Sequence, residues 1–298
     1  MKVFLLAGLT LWAVSYVILW GLLAKPKSEM DSQQRTIARR GGQFVPFSAT
    51  GAVTNFFDTL GIGSFAPTIS IYKFWNWVPD ELIPGTLNVG HALPVVVQAF
   101  IFITIVKVQA LTLLTMIAAA VLGAWLGSGI VSNLPRRAIQ VGVGLALLAG
   151  AATMLIGQLN LFPIGGQQLG VQGVRLVIAA LANFVLGALQ ALGIGLYAPC
   201  MILVSLLGMN PRAAFPVMMG SCAFLMPVGG VRFIQGGAYH LRAALGLAVG
   251  GIPGVLAAAY LVKSLPLNAV RWMVIAVVVY AAVMMLRSAK VRTNDLPL

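Results

Sequence analysis

The chain has 298 residues, of which 60% are hydrophobic and 8% charged, and its mean hydropathy is +0.97. A soluble domain of this length could not carry so much apolar surface, so the sequence describes a polytopic membrane protein. Nineteen Lys and Arg oppose six Asp and Glu, a net charge of +13. The basic residues lie mostly between apolar runs, which suits membrane orientation and anionic lipid headgroups and leaves no polar scaffold for nucleic acid.

Residues 3–23 form one hydrophobic span with Trp12, Tyr16 and Trp20 along it. The run is longer than the roughly 7–15 apolar residues of a cleaved signal, and no clear A-x-A site precedes Lys25. Residues 1–24 therefore read as a retained transmembrane helix. Residues 25–42 are the one long polar linker, with Lys25, Lys27, Arg35, Arg39 and Arg40 against Glu29 and Asp31. The positive-inside rule puts residues 25–40 in the cytoplasm.

Two similar halves follow, residues 43–157 and 174–290, joined by an uncharged connector at 158–173 and ending in a tail at 291–298. The first half reads as a broken segment at 44–71, then apolar segments at 85–106, 111–131 and 138–156. Its counterparts are 174–202, 213–234, 243–262 and 269–286. Runs this long far exceed the roughly 10-residue alternation of membrane barrel strands, so the fold class is all-α. Gly123 aligns with Gly254, Leu134 with Leu265, and Met154 with Met285, each at an offset of 131 residues. The connector is rich in Gly and Gln, which suits an exposed segment.

If the broken segment crosses fully, the halves share an orientation; if it dips in and returns, they are inverted. Inversion places Lys73, Arg136, Arg137, Arg232, Arg242, Arg287, Lys290 and Arg292 with the linker on the cytoplasmic side. It leaves Lys107, Arg175, Arg212 and Lys263 outside. The charge balance favours inversion and puts the C-terminus in the cytoplasm.

The break itself reads LGIGSFAP at 60–67 and LGIGLYAP at 192–199, an offset of 132 residues. Glycine costs about 1 kcal/mol and proline about 3 kcal/mol in a helix interior, so both copies interrupt their helices. Gly61 and Gly63 allow a tight reversal, and Pro67 falls in the first turn of the helix that restarts near Ser64. Such a start presents unpaired N–H groups and the positive end of a dipole. Gly193, Gly195, Tyr197 and Pro199 repeat the arrangement, so the two breaks together are expected to form an anion site. A kink for packing alone is the plainer alternative.

Asn55, Asp58, Thr59, Ser64 and Thr68 flank the first break; Asn183, Gln190, Tyr197 and Cys200 flank the second. Asp58 is the one carboxylate inside an apolar segment, where a charge costs at least about 2.5 kcal/mol, so it is expected to be paired, protonated or facing water. Proton coupling and a structural hydrogen bond are both open for it. In the next segment of each half, His91 corresponds to Ser221. His91 is a second candidate for proton carriage or anion contact, against a packing hydrogen bond. Arg232 either reaches the same cavity or snorkels to the interface. Cys200 and Cys222 read as packing residues; no metal-ligand spacing occurs, and no metal or cofactor is expected. Gly123 with Gly127 and Gly246 with Gly250 read as close helix contacts.

Two other function classes are distinguishable. An intramembrane hydrolase would use Ser128 in GSG as nucleophile with His91 or His240 as base. A non-transporting membrane scaffold would have no need of two duplicated breaks.

A duplicated broken helix with a G-x-G core and a following proline, then a Gly-Ser type segment, resembles the TauE/SafE family of sulfite and organosulfonate exporters over residues 44–286. The family's GIGGG-like run is GIGSF and GIGLY here, and His91 stands where the second half keeps Ser221. The resemblance implies movement of small sulfur-containing anions across a bacterial inner membrane, with proton coupling; the mechanism expected from the paired breaks is alternating access. It also implies that Gly61, Gly63, Pro67, Gly193, Gly195, Pro199 and Ser221 belong to the substrate pocket. The expected partners are a small anionic substrate and anionic lipid headgroups, with a homodimer as an open oligomeric state.

Overall fold

The computed structural model describes residues 2–23, 44–127, 136–159, 166–191 and 195–291. The linker at 25–42, Ser128, the aligned Leu134, Gly193 and most of the tail lie outside the described residues. Every named element longer than a turn is helical. The long helix α1 (Lys2–Leu23) comes first, then the short pair α2 (Phe44–Thr59) and α3 (Phe65–Phe74), then α4 (Ile83–Ile105), α5 (Ala110–Leu122) and α6 (Arg136–Gln158). The second half repeats this order as α7 (Val174–Ala191), α8 (Tyr197–Leu206), α9 (Ala214–Gly236), α10 (Leu241–Ser264) and α11 (Leu267–Val291). Among the described residues, six helices are long and apolar enough to cross a membrane. The protein is a multi-pass membrane protein. At about 1.5 Å per residue, neither α2 nor α3 alone spans a hydrocarbon core of roughly 30 Å.

The chain divides into two compact units, one of residues 1–101 with 222–261 and one of residues 102–221 with 262–298. Each unit therefore takes segments from both halves of the sequence.

In the first unit α2 lies on α10. Gly246, Gly250 and Gly254 recur every four residues and share one face of α10. A Cβ at Gly246 would strike Phe47, one at Gly250 the carbonyl of Ser48, and one at Gly254 the carbonyl of Ala52. Gly51 answers from α2, where a Cβ would come within 2.7 Å of the Leu247 oxygen. Small residues let the two backbones touch, which is the way helices gain packing in lipid. The α1 helix joins this unit through Tyr16, whose hydroxyl donates to the Val89 carbonyl at 3.3 Å, and Trp20, whose indole donates to the Tyr239 hydroxyl at 3.2 Å.

In the second unit α5 and α7 make the corresponding contact. A Cβ at Gly123 would overlap the Phe184 carbonyl, and one at Gly187 the Ala120 carbonyl. Gly123 and Gly254 are aligned positions, and so are Phe184 and Ala52, so one contact recurs in both units. The segment expected as one helix over 111–131 is α-helical only to Leu122 and widens into a π turn at Gly123–Gly127. The α6 and α11 helices pack on one another in this unit, with α8 against both.

Over 166–173 the connector is mostly exposed, and it is also hydrogen-bonded to helix ends. Leu169 accepts from the Gln109 amide at 2.7 Å, and Gln168 accepts from the Asn210 amide at 2.9 Å. Val171 is buried, and its amide donates to the Thr112 hydroxyl at 3.0 Å. The physical reason is that backbone polar groups next to an apolar core must find partners, and the helix ends at Gln109 and Asn210 supply them.

Candidate functional site

The first break is a helix stop and a helix start joined by five residues, 60–64. The stop is a Schellman motif. The Gly61 amide donates to the Asp58 carbonyl at 2.8 Å, and the Ile62 amide donates back to the Phe57 carbonyl at 3.1 Å. This closure needs a left-handed residue, and Gly61 supplies it with φ +97°; Gly63 follows at φ +91°. The α3 helix then starts at Phe65, with Ser64 in the capping position but making no side-chain cap. Pro67 sits at the third helical position, inside the first turn, where its missing N–H removes no helical bond.

Around this break the first unit buries a set of polar side chains: Asn55, Asp58, Thr59, Ser64, Thr68, His91 and Gln98 are all inaccessible or nearly so. They form two hydrogen-bonded groups. In one, the Thr68 hydroxyl donates to the Ser64 carbonyl at 2.8 Å, so its oxygen can only accept from His91 Nε2, 3.1 Å away. His91 therefore carries its proton on Nε2. Its Nδ1 then accepts from Asn55 Nδ2 at 3.0 Å, whose other hydrogen goes to the Gly51 carbonyl at 2.8 Å. Asn55 Oδ1 also lies 3.2 Å from this Nδ1, so both ring nitrogens have partners. The ring of Phe65, first residue of α3, lies 5.9 Å from that of His91.

In the other group, Gln98 Nε2 donates to Asp58 Oδ2 at 2.9 Å and to the Thr59 hydroxyl at 3.0 Å. The Thr59 hydroxyl in turn donates to the Asn55 carbonyl at 2.7 Å. Asp58 is thus held by a neutral amide from α4. Gln98 escaped the sequence reading; the available signal was its place seven residues after His91, two turns along one face of an apolar helix.

The second break lies in the second unit and has different chemistry. Gln190, aligned with Asp58, accepts from the Leu196 amide at 2.8 Å, reaching across the break to the restarting helix. The α8 helix begins at Tyr197 with Leu196 in the capping position, and Pro199 again occupies the third helical position. Tyr197 is buried and Gly195 exposed. Asn183 Nδ2 donates to the Met116 carbonyl at 2.7 Å and to Ser221 Oγ at 3.4 Å. Both short helices end alike: Asn76 closes α3 at φ +51° and Gly208 closes α8 at φ +80°, 132 residues apart.

The first unit thus brings together Asp58, Gly61, Gly63, Ser64, Pro67, Thr68 and His91, while Gly195, Tyr197, Pro199 and Ser221 belong to the second unit. Arg232 is exposed on α9. Of the hydrolase candidates, Ser128 lies outside the described residues, both nitrogens of His91 have partners in this group, and His240 Nδ1 accepts from the Ala243 amide at 3.1 Å at the start of α10. Among the described residues no group of three His, Cys, Asp or Glu is placed to hold a metal ion.

Residues 175–297 match the family model described as "Sulfite exporter TauE/SafE", the family to which the duplicated motifs pointed. The matched stretch runs from the start of α7 to the end of the chain and includes the second break. No curated protein and no solved structure matches the chain.

Proposed function

We propose, on the basis of that match, that this protein is a secondary transporter of small sulfur-containing anions such as sulfite and sulfonates, sulfoacetate among them. It works by alternating access in a bacterial inner membrane, with the linker at 25–40 and the C-terminus on the cytoplasmic side. The observation that carries the reading is the start of α3, which has no side-chain cap and adjoins a buried set of hydroxyl, amide and imidazole groups. A pyramidal or tetrahedral oxyanion is complementary to such donors: backbone N–H groups at a helix start meet its charge, and the His91 Nε2–H and neighbouring hydroxyls can turn to its oxygens.

The residues proposed to contact the anion are Gly61, Gly63, Ser64, Pro67 and Thr68 with His91 and Arg232 in the first unit, and Gly193, Gly195, Tyr197 and Pro199 with Ser221 in the second. Asp58 couples the cycle to a proton. The position of the carboxyl favours this role: it is buried in an otherwise apolar helix, beside the break, with the Gln98 amide donating to it.

The test is flux into proteoliposomes under a proton gradient, with sulfite, thiosulfate, sulfoacetate, taurine and acetate as substrates. Sulfite or a sulfonate should move, and should raise thermal stability more than sulfate or chloride does. Asp58→Asn should impair gradient-driven flux more than equilibrium binding. Equal loss of both in a folded variant removes Asp58 from the coupling role, and no flux of any anion under any gradient refutes the transport reading.

A further inference from the structure

The second unit contains an open cavity of about 340 Å³ whose rim and floor differ sharply in chemistry. Lys107, Arg212 and Lys263 line it, and they come from three separate places in the chain. Lys107 follows the end of α4, Arg212 lies in the single 3-10 turn before α9, and Lys263 stands in the last turn of α10. No Asp or Glu is among the residues that line the cavity. Both lysines are exposed. Arg212 is held in place: its Nη2 donates to the Leu265 carbonyl, and its amide donates to Asn210 Oδ1 at 3.0 Å. Its Nε is nevertheless buried without a hydrogen-bond partner. Three cations converging on one cavity, one of them with an unsatisfied donor, are complementary to an anion supplied from outside the chain.

The floor is apolar. Phe102 and Phe215 are both buried and stack with ring centroids 5.1 Å apart and planes 17° apart, with Ile105 and Val262 beside them. A simple inorganic ion would leave this surface uncovered. An organic anion would cover it, and the volume is that of a small-molecule site.

We propose that this cavity binds an organic oxyanion, its sulfonate or phosphate group among Lys107, Arg212 and Lys263 and its carbon body over Phe102 and Phe215. Two sources share that chemistry, a free organosulfonate and the phosphodiester head of an anionic lipid. The site goes beyond the transport reading and does not rest on it.

Full-length protein, purified and delipidated in a neutral detergent, is titrated with benzenesulfonate, with dihexanoyl-phosphatidylglycerol and with dihexanoyl-phosphatidylcholine as the zwitterionic control. The same titrations are run on a Lys107→Gln/Lys263→Gln variant, which changes exposed side chains only. Saturable binding of benzenesulfonate, weakened about tenfold in the variant, assigns the site to a free organic anion. The same loss seen only with phosphatidylglycerol assigns it to lipid. Equal affinity of variant and wild type for both anions, or no anion bound more tightly than phosphatidylcholine, overturns the proposal. The readout is equilibrium binding, so a protein that moves no substrate still decides it.

Discussion

Replacing Gln98 by Leu isolates the group that holds Asp58. The change keeps the side chain's bulk and removes one donor nitrogen that serves two acceptors, Asp58 Oδ2 at 2.9 Å and Thr59 Oγ1 at 3.0 Å. A hydrogen bond to a charged group contributes about 1.5–3 kcal/mol and a neutral one about 0.5–1.5 kcal/mol. Gln98→Leu should therefore destabilise by about 2–4 kcal/mol if Asp58 is ionised, and by roughly half that if it is protonated. The assay is a double-mutant cycle with Asp58→Ala, which removes the acceptor, read by reversible unfolding of the purified protein in detergent. Contacting polar groups couple by about 0.5–3 kcal/mol, and this pair should sit in the upper part of that range. Coupling below about 0.5 kcal/mol would mean that the Gln98 amide contributes nothing specific to Asp58, and the polar-network account of the first break would fall with it.

Three further outcomes are expected. Gly250→Ala and Gly123→Ala each drive a Cβ into a carbonyl of the facing helix, and should each cost about 1–3 kcal/mol by thermal unfolding, whereas Gly142→Ala, with nothing within 4 Å, should be neutral or slightly stabilising. Gly61→Ala forces a side chain to φ +97° and should lower stability by about 1–2 kcal/mol; an unchanged melting temperature would show that the Schellman closure is not required. His240, between α9 and α10, is held below its ordinary value of 6.5 by burial, with Arg242 adding to the effect and its backbone hydrogen bond opposing it. The folded state therefore takes up this proton less readily than the unfolded chain, so stability is full above about pH 6.5 and falls as pH drops below it. Protonation also removes the Nδ1 lone pair that accepts from Ala243, a cap of about 1 kcal/mol. Melting curves from pH 8 to 5 should show this slope, and His240→Asn should flatten it.

The helical spans were legible because lipid allows few solutions: each backbone group must be satisfied within its own helix, so span length is written in the apolar runs. The breaks were legible for a related reason, since Gly61, Gly63 and Pro67 have no other economical place in such a run. What a small residue faces was not legible. Gly246, Gly250 and Gly254 announce a close contact, but nothing in their spacing says that Phe47, Ser48 and Ala52 are the partners. Gln98 was hidden for the same reason, because its role comes from an acceptor forty residues away. The connector at 166–173 read as exposed from its Gly and Gln content, but nothing in that content announces its hydrogen bonds, which come from helix ends distant in sequence.

The glycine contacts carry a consequence for how such a chain could have arisen and how it must be made. Ala52 meets a glycine of the later half, and Phe184 meets one of the earlier half. An ancestor with only one half could have seated the polar face of its first helix on its own next long helix, but could have buried the small-residue face only against a second molecule. By the same logic, a polypeptide cut between Gln158 and Val174 should give two fragments that are each unstable alone in detergent and recover a folded form when synthesised together.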